Sequence, residues 1–204
     1  ATETVKIDIQ EKLAFREGSQ VFQKSFAREN LSYSVFYEEN KENRLVEMLR
    51  KVPGTAIVYA RNRKRTQHIA RYLQQRNVSA DFYHAGLGGE ERSRKQDDWV
   101  NGRIRVVVAT NAFGMGIDKP DVRLVVHLDL ADSLEAYYQE AGRAGRDEKM
   151  AYATVLYNHA DIENLTNNIE RSFPKASYIR KVYQALANYL KIAVGSGYLE
   201  TYNF

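Results

Sequence analysis

The run TAIVYARNRK, residues 55 to 64, opens with apolar and β-branched residues, Ala56 to Tyr59, and then turns abruptly basic. Runs of the same kind recur at Val78 to Tyr83, Ile104 to Ala109, Leu124 to Leu128 and Ala151 to Tyr157. Each is short, largely apolar and bounded by polar or glycine-rich sequence, the pattern of strands buried in a parallel sheet. Between them the period changes. Ile69, Ala70 and Leu73 share one helical face, and Leu134, Tyr137, Tyr138 and Ala141 share another. Strand alternating with helix predicts an α/β fold, a parallel sheet with helices on both faces.

The flanks read as helical. Val5 to Leu13 predicts a short helix, followed by a polar stretch around Gly18. Pro53 and Gly54 stop a helix that carries Leu45, Met48 and Leu49. Residues 160–172 predict another helix, and Pro174 breaks it. Ile179, Val182, Tyr183, Leu186 and Leu190 then form an amphipathic stripe, closed by Gly195, Ser196 and Gly197. No internal repeat or low-complexity tract interrupts the chain.

A length of 204 residues suits one sizeable domain with a smaller appendage. Hydrophobic residues at 44% and charged residues at 27% are ordinary for a globular protein. The absence of cysteine excludes disulfides, thiolate metal sites and a cysteine nucleophile within this chain. No apolar run is long enough to span a bilayer, and Ala1 to Gln10 lacks a signal-peptide core, so a cytoplasmic location is the expectation. A net charge of +4 and a pI near 9.1 are compatible with a nucleic-acid partner and do not require one.

Two segments carry chemistry. In YYQEAGRAGRD, Tyr137 to Asp147, a helix brings Gln139 to its end, and Arg143 and Arg146 follow, three apart. On a continuing helical turn they would project from one side, and the glycines beside them would let another surface approach. A guanidinium is always charged and offers a planar fork of donors, which suits a phosphoryl group. The plainer alternative is a solvated basic helix end. In VVVATNAFGMGIDKPDV, Val106 to Val122, a strand ends at Ala109 and delivers Thr110 and Asn111 to the carboxyl edge of the sheet, where such sheets bind ligands. Gly114 and Gly116 permit a tight turn, and Asp118 offers a carboxylate beside it. A dinucleotide-binding loop is the alternative, but its third glycine is missing.

Three further pieces signal less. Arg61, Asn62, Arg63 and Lys64 could grip a nucleic-acid backbone or simply solvate a helix start. His84, in YHAGL, follows a strand and has no second histidine at metal-ligand spacing. SFARENLSYSV places Arg28 and Asn30 in an extended segment that, by itself, reads only as a linker.

Taken together these strings resemble the C-terminal half of a superfamily-two helicase, specifically the RecQ family. SFARENLSYSV is similar to that family's lead-in to its second RecA-like domain, TAIVYARNRK to motif four, and YHAGL to the short motif after it. VVVATNAFGMGIDKPDV is similar to motif five and YYQEAGRAGRD to motif six. The resemblance implies a RecA-like sheet with a short helical C-terminal extension. Residues 1–24 would be the end of a first motor domain and its linker, and residues 25–158 the second RecA-like domain. Residues 159–204 would be a helical extension.

The same resemblance implies 3′ to 5′ unwinding of DNA driven by Mg²⁺-ATP, in replication, recombination or repair. Arg146 would be the arginine finger, Arg143 its neighbour at the γ-phosphate, and Gln139 a link between nucleotide state and domain closure. Asp118 and Gly116 would face the nucleotide. Arg63, His84, Thr110 and Asn111 would hold single-stranded or partly duplex DNA, and the other partner would be the first RecA-like domain of the same parent chain. An RNA-directed relative, another translocase, or a non-catalytic nucleic-acid-binding module remain the alternatives.

Two departures qualify the likeness. No GxxxxGKS or GxxxxGKT string and no acidic magnesium motif occur, so ATP and Mg²⁺ would be held mainly elsewhere. Ala1 and Thr2 are similar to the tail of the family's motif three, so the chain would start where a first motor domain ends. Many RecQ proteins also bind zinc through cysteines after motif six, and this chain has none. Its last segment would then be a zinc-free variant or the opening of a winged-helix module.

Overall fold

The structure, a computed structural model, describes residues 3–16, 18–22, 27–114 and 116–191. Ala1, Thr2, Ser25 and the Gly195 to Gly197 cluster lie outside the described residues. The strands are β1 (Leu31–Tyr37), β2 (Thr55–Tyr59), β3 (Ala80–Tyr83), β4 (Val106–Ala109), β5 (Val122–His127) and β6 (Ala151–Tyr157). The helices are α1 (Glu3–Lys12), α2 (Lys41–Lys51), α3 (Arg63–Gln74), α4 (Gly89–Val100), α5 (Leu134–Ala141), α6 (His159–Ser172) and α7 (Ala176–Leu190).

One parallel sheet runs in the order β1-β6-β5-β2-β4-β3. At its centre every residue of β2 is buried, and the alternation of its side chains divides the core. Ala56 and Val58 meet Leu45 and Leu49 of α2 and Ile69 and Leu73 of α3. Ile57 and Tyr59 meet Trp99 of α4, Ala141 of α5 and Phe113. Burying each large aliphatic side chain in this way is worth about 1.5–3 kcal/mol. The predicted two-faced α/β sandwich is the observed one.

Two elements were hidden from the apolar pattern. SFARENLSYSV runs into a strand, β1, at the edge of the sheet. Only Leu31 of β1 is buried, so its sequence carries no continuous apolar run. Helix α4 is anchored by Trp99 and the buried stem of Lys95 alone, too few contacts to mark a helical stripe. Strands β3 and β4 begin at Ala80 and Val106, slightly inside the predicted runs.

Asn62 ends the basic turn after β2 and caps α3, its side chain accepting from Arg65 N at 2.8 Å. The cap fixes Arg63 at the first helical position, on the rim. Because all six strands are parallel, every loop that follows a strand emerges on that same rim. Helix α3 leaves β2 onto one face while α5 leaves the neighbouring β5 onto the other, a switch point that opens a crevice at the rim. Beyond β6, Asn158 and Asp161 form a capping box at the start of α6. Asp161 also pairs with the buried Lys41, whose Nζ donates to Leu128 O at 2.8 Å. This contact ties α6 to the sheet. In α7 only Ala187 is buried, and Ile179, Val182, Tyr183 and Leu186 are exposed.

Candidate functional site

Helix α5 does not carry the two arginines as a continuing turn. It stops at Ala141, and the chain then passes through tight turns to Gly145, where φ is +62°. Arg143 and Arg146 nonetheless reach the same loop, the one after β4. Arg143 folds inward and donates from Nη1 to Gly114 O at 2.6 Å. Gly114 has φ +133°, and a β-carbon there would overlap the guanidinium. Arg146 turns outward and donates from Nη1 to Asp118 Oδ1 at 2.8 Å and to Ile117 O at 3.4 Å.

The Arg146–Asp118 pair lies at the surface, with side-chain exposures of 38% and 83%. Exposed pairs are weakly held, so the guanidinium can change partners. Gln139 and Arg146 line one open groove of about 800 Å³, together with Arg28, Asn30, Tyr33 and Tyr138. Gly116, with φ +76°, is exposed, with nothing within 4 Å of where a β-carbon would stand.

Under the arginines lies a buried polar cluster that the sequence did not disclose. His127 is 1% exposed, and its Nε2 is 2.7 Å from Glu140 Oε2. Its ring stacks on Tyr59 at 5.0 Å and meets the edge of Tyr137 at 5.0 Å. Burial pushes the Tyr59 hydroxyl well above the usual tyrosine range, although the Arg143 guanidinium pulls the other way. Tyr59 therefore stays a neutral donor, and it donates to Phe113 O at 3.2 Å. This contact supports the loop that Arg143 clasps.

A second groove, of about 680 Å³, opens at the carboxyl rim, beyond the ends of β2, β3 and β4. Arg61, Asn62, Arg63, Lys64, Thr110 and Asn111 line it. Arg63, Lys64 and Asn111 are exposed there and Thr110 is half-buried. Arg61 and Arg65 are instead committed to carboxylates, Arg61 to Asp132 at 2.9 Å and Arg65 to Asp129 at 2.5 Å. His84 stands apart from the lining. It is 5% exposed, with Nε2 3.2 Å from Gln67 Nε2 and its ring against Phe82. The Arg63 guanidinium lies across Gly86, two residues further on, where a side chain would block it.

Arg28 and Asn30, which read as linker, also belong to the first groove. Both side chains bond carbonyls of the turn after α5. Nothing in their spacing distinguished them, because their partners lie more than a hundred residues away. Among the described residues, no group of three or more histidine, aspartate or glutamate side chains could hold a metal ion. No helix of the described residues is long and apolar enough to cross a membrane.

The chain matches the model of the helicase conserved C-terminal domain over residues 40–148. It is 41% identical over 175 residues to the RecQ-like DNA helicase blm-1 of Caenorhabditis elegans, covering 83% of this chain and 18% of that protein. It is 39% identical over 163 residues to the ATP-dependent DNA helicase RecQ of Bacillus subtilis, covering 79% of this chain and 27% of that protein. The chain thus spans less than a third of these curated relatives. In fold it is similar to a DEAD box protein from the hyperthermophile Methanococcus jannaschii. There the TM-score is 0.63 at 23% identity, over 84% of this chain and 47% of that one.

Proposed function

Because this chain belongs to the helicase conserved C-terminal domain family, on its RecQ side, we propose that it is the second motor lobe of an ATP-dependent DNA helicase. The observation that carries this reading is the clasp between the loop after β4 and the turn after α5. One arginine is packed, half-buried, on Gly114, while the other is held out at the surface by an exposed aspartate.

In this reading magnesium-bound ATP is gripped by a first lobe, and its hydrolysis supplies the energy for stepping. Arg146 would exchange Asp118 for oxygens of the γ-phosphate as the lobes close, placing positive charge where negative charge develops. Arg143 would hold the loop in place, and Gln139, in the same groove, would sense closure. Asp118 and Gly116 would face the nucleotide side.

Arg63, Thr110 and Asn111 would grip phosphates of single-stranded DNA, with the buried His84 steadying α3 beneath them through Gln67. Backbone contacts carry no sequence information, as a stepping enzyme requires. The 25–158 segment would be the lobe proper and 159–204 its extension. An RNA-directed member would use the same parts, and parallel unwinding of DNA and RNA duplexes by the full-length protein separates the two.

The test is steady-state ATP hydrolysis by the full-length protein. Arg146→Ala should lower turnover by about 10³- to 10⁵-fold with DNA binding retained. Equal loss of both would make Arg146 a structural residue and sink the reading.

A further inference from the structure

The turn that presents Arg146 is built from small residues, Gly142, Ala144 and Gly145, and would be slack by itself. Its carbonyls lie past the end of α5, where no helix supplies donors. Gly145 O receives Glu148 N at 3.1 Å within the turn, and the other donors come from the segment just ahead of β1. Arg28 donates from Nη1 to Gly142 O at 3.0 Å and from Nη2 to Gly145 O. Asn30 donates from Nδ2 to Gly145 O at 2.7 Å and to Lys149 O at 2.9 Å.

Both donors are themselves held. Leu31 N donates to Arg28 O at 3.1 Å, and Ala151 N donates to Asn30 O at 2.8 Å, locking the segment to the first pair of β1 and β6. From the other side, Gly145 N donates to Val122 O at 2.8 Å. A β-carbon on Gly145 would lie 2.7 Å from Asn30 Nδ2 and 2.9 Å from Ala151 Cβ. The residue immediately before Arg146 is therefore fixed at its N–H, its carbonyl and its α-carbon, while the Arg146 side chain stays at the surface.

We propose that Arg28 and Asn30 are positioning residues for Arg146. They set the backbone from which its guanidinium extends, and neither needs to touch the nucleotide. The planar fork of Arg28 spans two carbonyls of the turn at once, which a lysine cannot do. Pre-set geometry matters most for a group that acts only when two bodies meet, since a misplacement of about 1 Å can cost on the order of 10²-fold in rate. This inference rests on the reading of Arg146 as the arginine that meets the phosphate.

The experiment has two arms. In the full-length protein, Arg28→Gln should lower kcat for ATP on the order of 10²-fold while KM changes by less than about twofold. Arg28→Lys should recover only part of the loss. Combined with Arg146→Ala, Arg28→Gln should add nothing further, because it acts through the residue already removed. The same loss from Arg28→Gln in both backgrounds would overturn the proposal.

In the 204-residue chain, hydrogen exchange of residues 142–149 should quicken by about tenfold in Arg28→Gln, with β2 and β4 unchanged. Unchanged protection of that turn would also overturn it. If Arg146→Ala alone leaves turnover intact, the phosphate reading fails, and the exchange arm still decides whether Arg28 fixes the turn. Should Arg28→Gln not fold, Asn30→Ala removes two donors to the same turn and carries both arms.

Discussion

Arg143 sits directly on Gly114: its guanidinium occupies the space a side chain would take, and its Nη1 is 2.6 Å from the glycine carbonyl. The two residues belong to different segments of sequence, and their contact is what brings the loop after β4 and the turn after α5 into one surface. Gly114→Ala should therefore do more than strain the backbone. It should evict Arg143 and cost about 3 kcal/mol or more. Gly116→Ala, also at positive φ but with nothing within 4 Å, should cost about 1 kcal/mol. Urea denaturation of both variants measures the difference, and equal costs would contradict the seating of Arg143.

Arg146 and Asp118 should behave in the opposite way. Their pair is exposed, so removing either side chain should change folding stability by less than about 1 kcal/mol, and raising the salt should shrink even that. Thermal unfolding of Arg146→Ala and Asp118→Ala at low and high salt is the measurement. A large loss of stability would mean the pair holds the fold together.

The second groove predicts weak, salt-sensitive binding of single-stranded DNA by this chain. Arg63→Ala should flatten the plot of log affinity against log salt by about 0.7, the release of one phosphate counterion from a single strand. Asn111→Ala, which removes no charge, should weaken binding with the slope unchanged. Fluorescence anisotropy across a salt series reads both, and a slope untouched by Arg63→Ala would place the DNA elsewhere.

Asp147, next to the arginine turn, predicts an acid-side loss of stability. Partial burial by itself would raise its carboxyl, but the Arg123 guanidinium and the Lys149 N–H outweigh it and hold the group below its ordinary 3.8. A carboxyl depressed in the folded state stabilises fully above that ordinary value, and its contribution disappears as pH falls through the lower folded one. Asp147→Asn should therefore be less stable than the parent near neutrality and converge with it in acid. A gap independent of pH would show that the carboxylate charge is not what matters.

How much of this was legible before the structure depended on where each residue's partners lie. The strands at the centre announced themselves because Ala56 to Tyr59 and Val106 to Ala109 are buried on both faces and must be apolar throughout. A parallel sheet sends every loop that follows a strand to one edge, so Asn111 after β4 and Arg63 after β2 had to share that edge, but their adjacency came only with the strand order. Strand β1 was illegible because an edge strand with one buried residue has no hydrophobic signature. Arg28 and Asn30 were illegible for a different reason: their bonds are to backbone carbonyls, and a carbonyl leaves no trace in the sequence of its own position. The divergence of Arg143 and Arg146 depended on the left-handed turn at Gly145 between them, which helical spacing alone does not supply.

The loop after β4 carries Thr110 at one end and Asp118 at the other, and it is fastened at several described points between them. Thr110 N is tied to Tyr83 O, Phe113 O receives the Tyr59 hydroxyl, and Gly114 bears Arg143. A strip secured at so many points has little slack to absorb a pull. In the proposed motor lobe, a pull by a DNA strand at Thr110 would be passed along this strip toward Asp118, like load through a short crank.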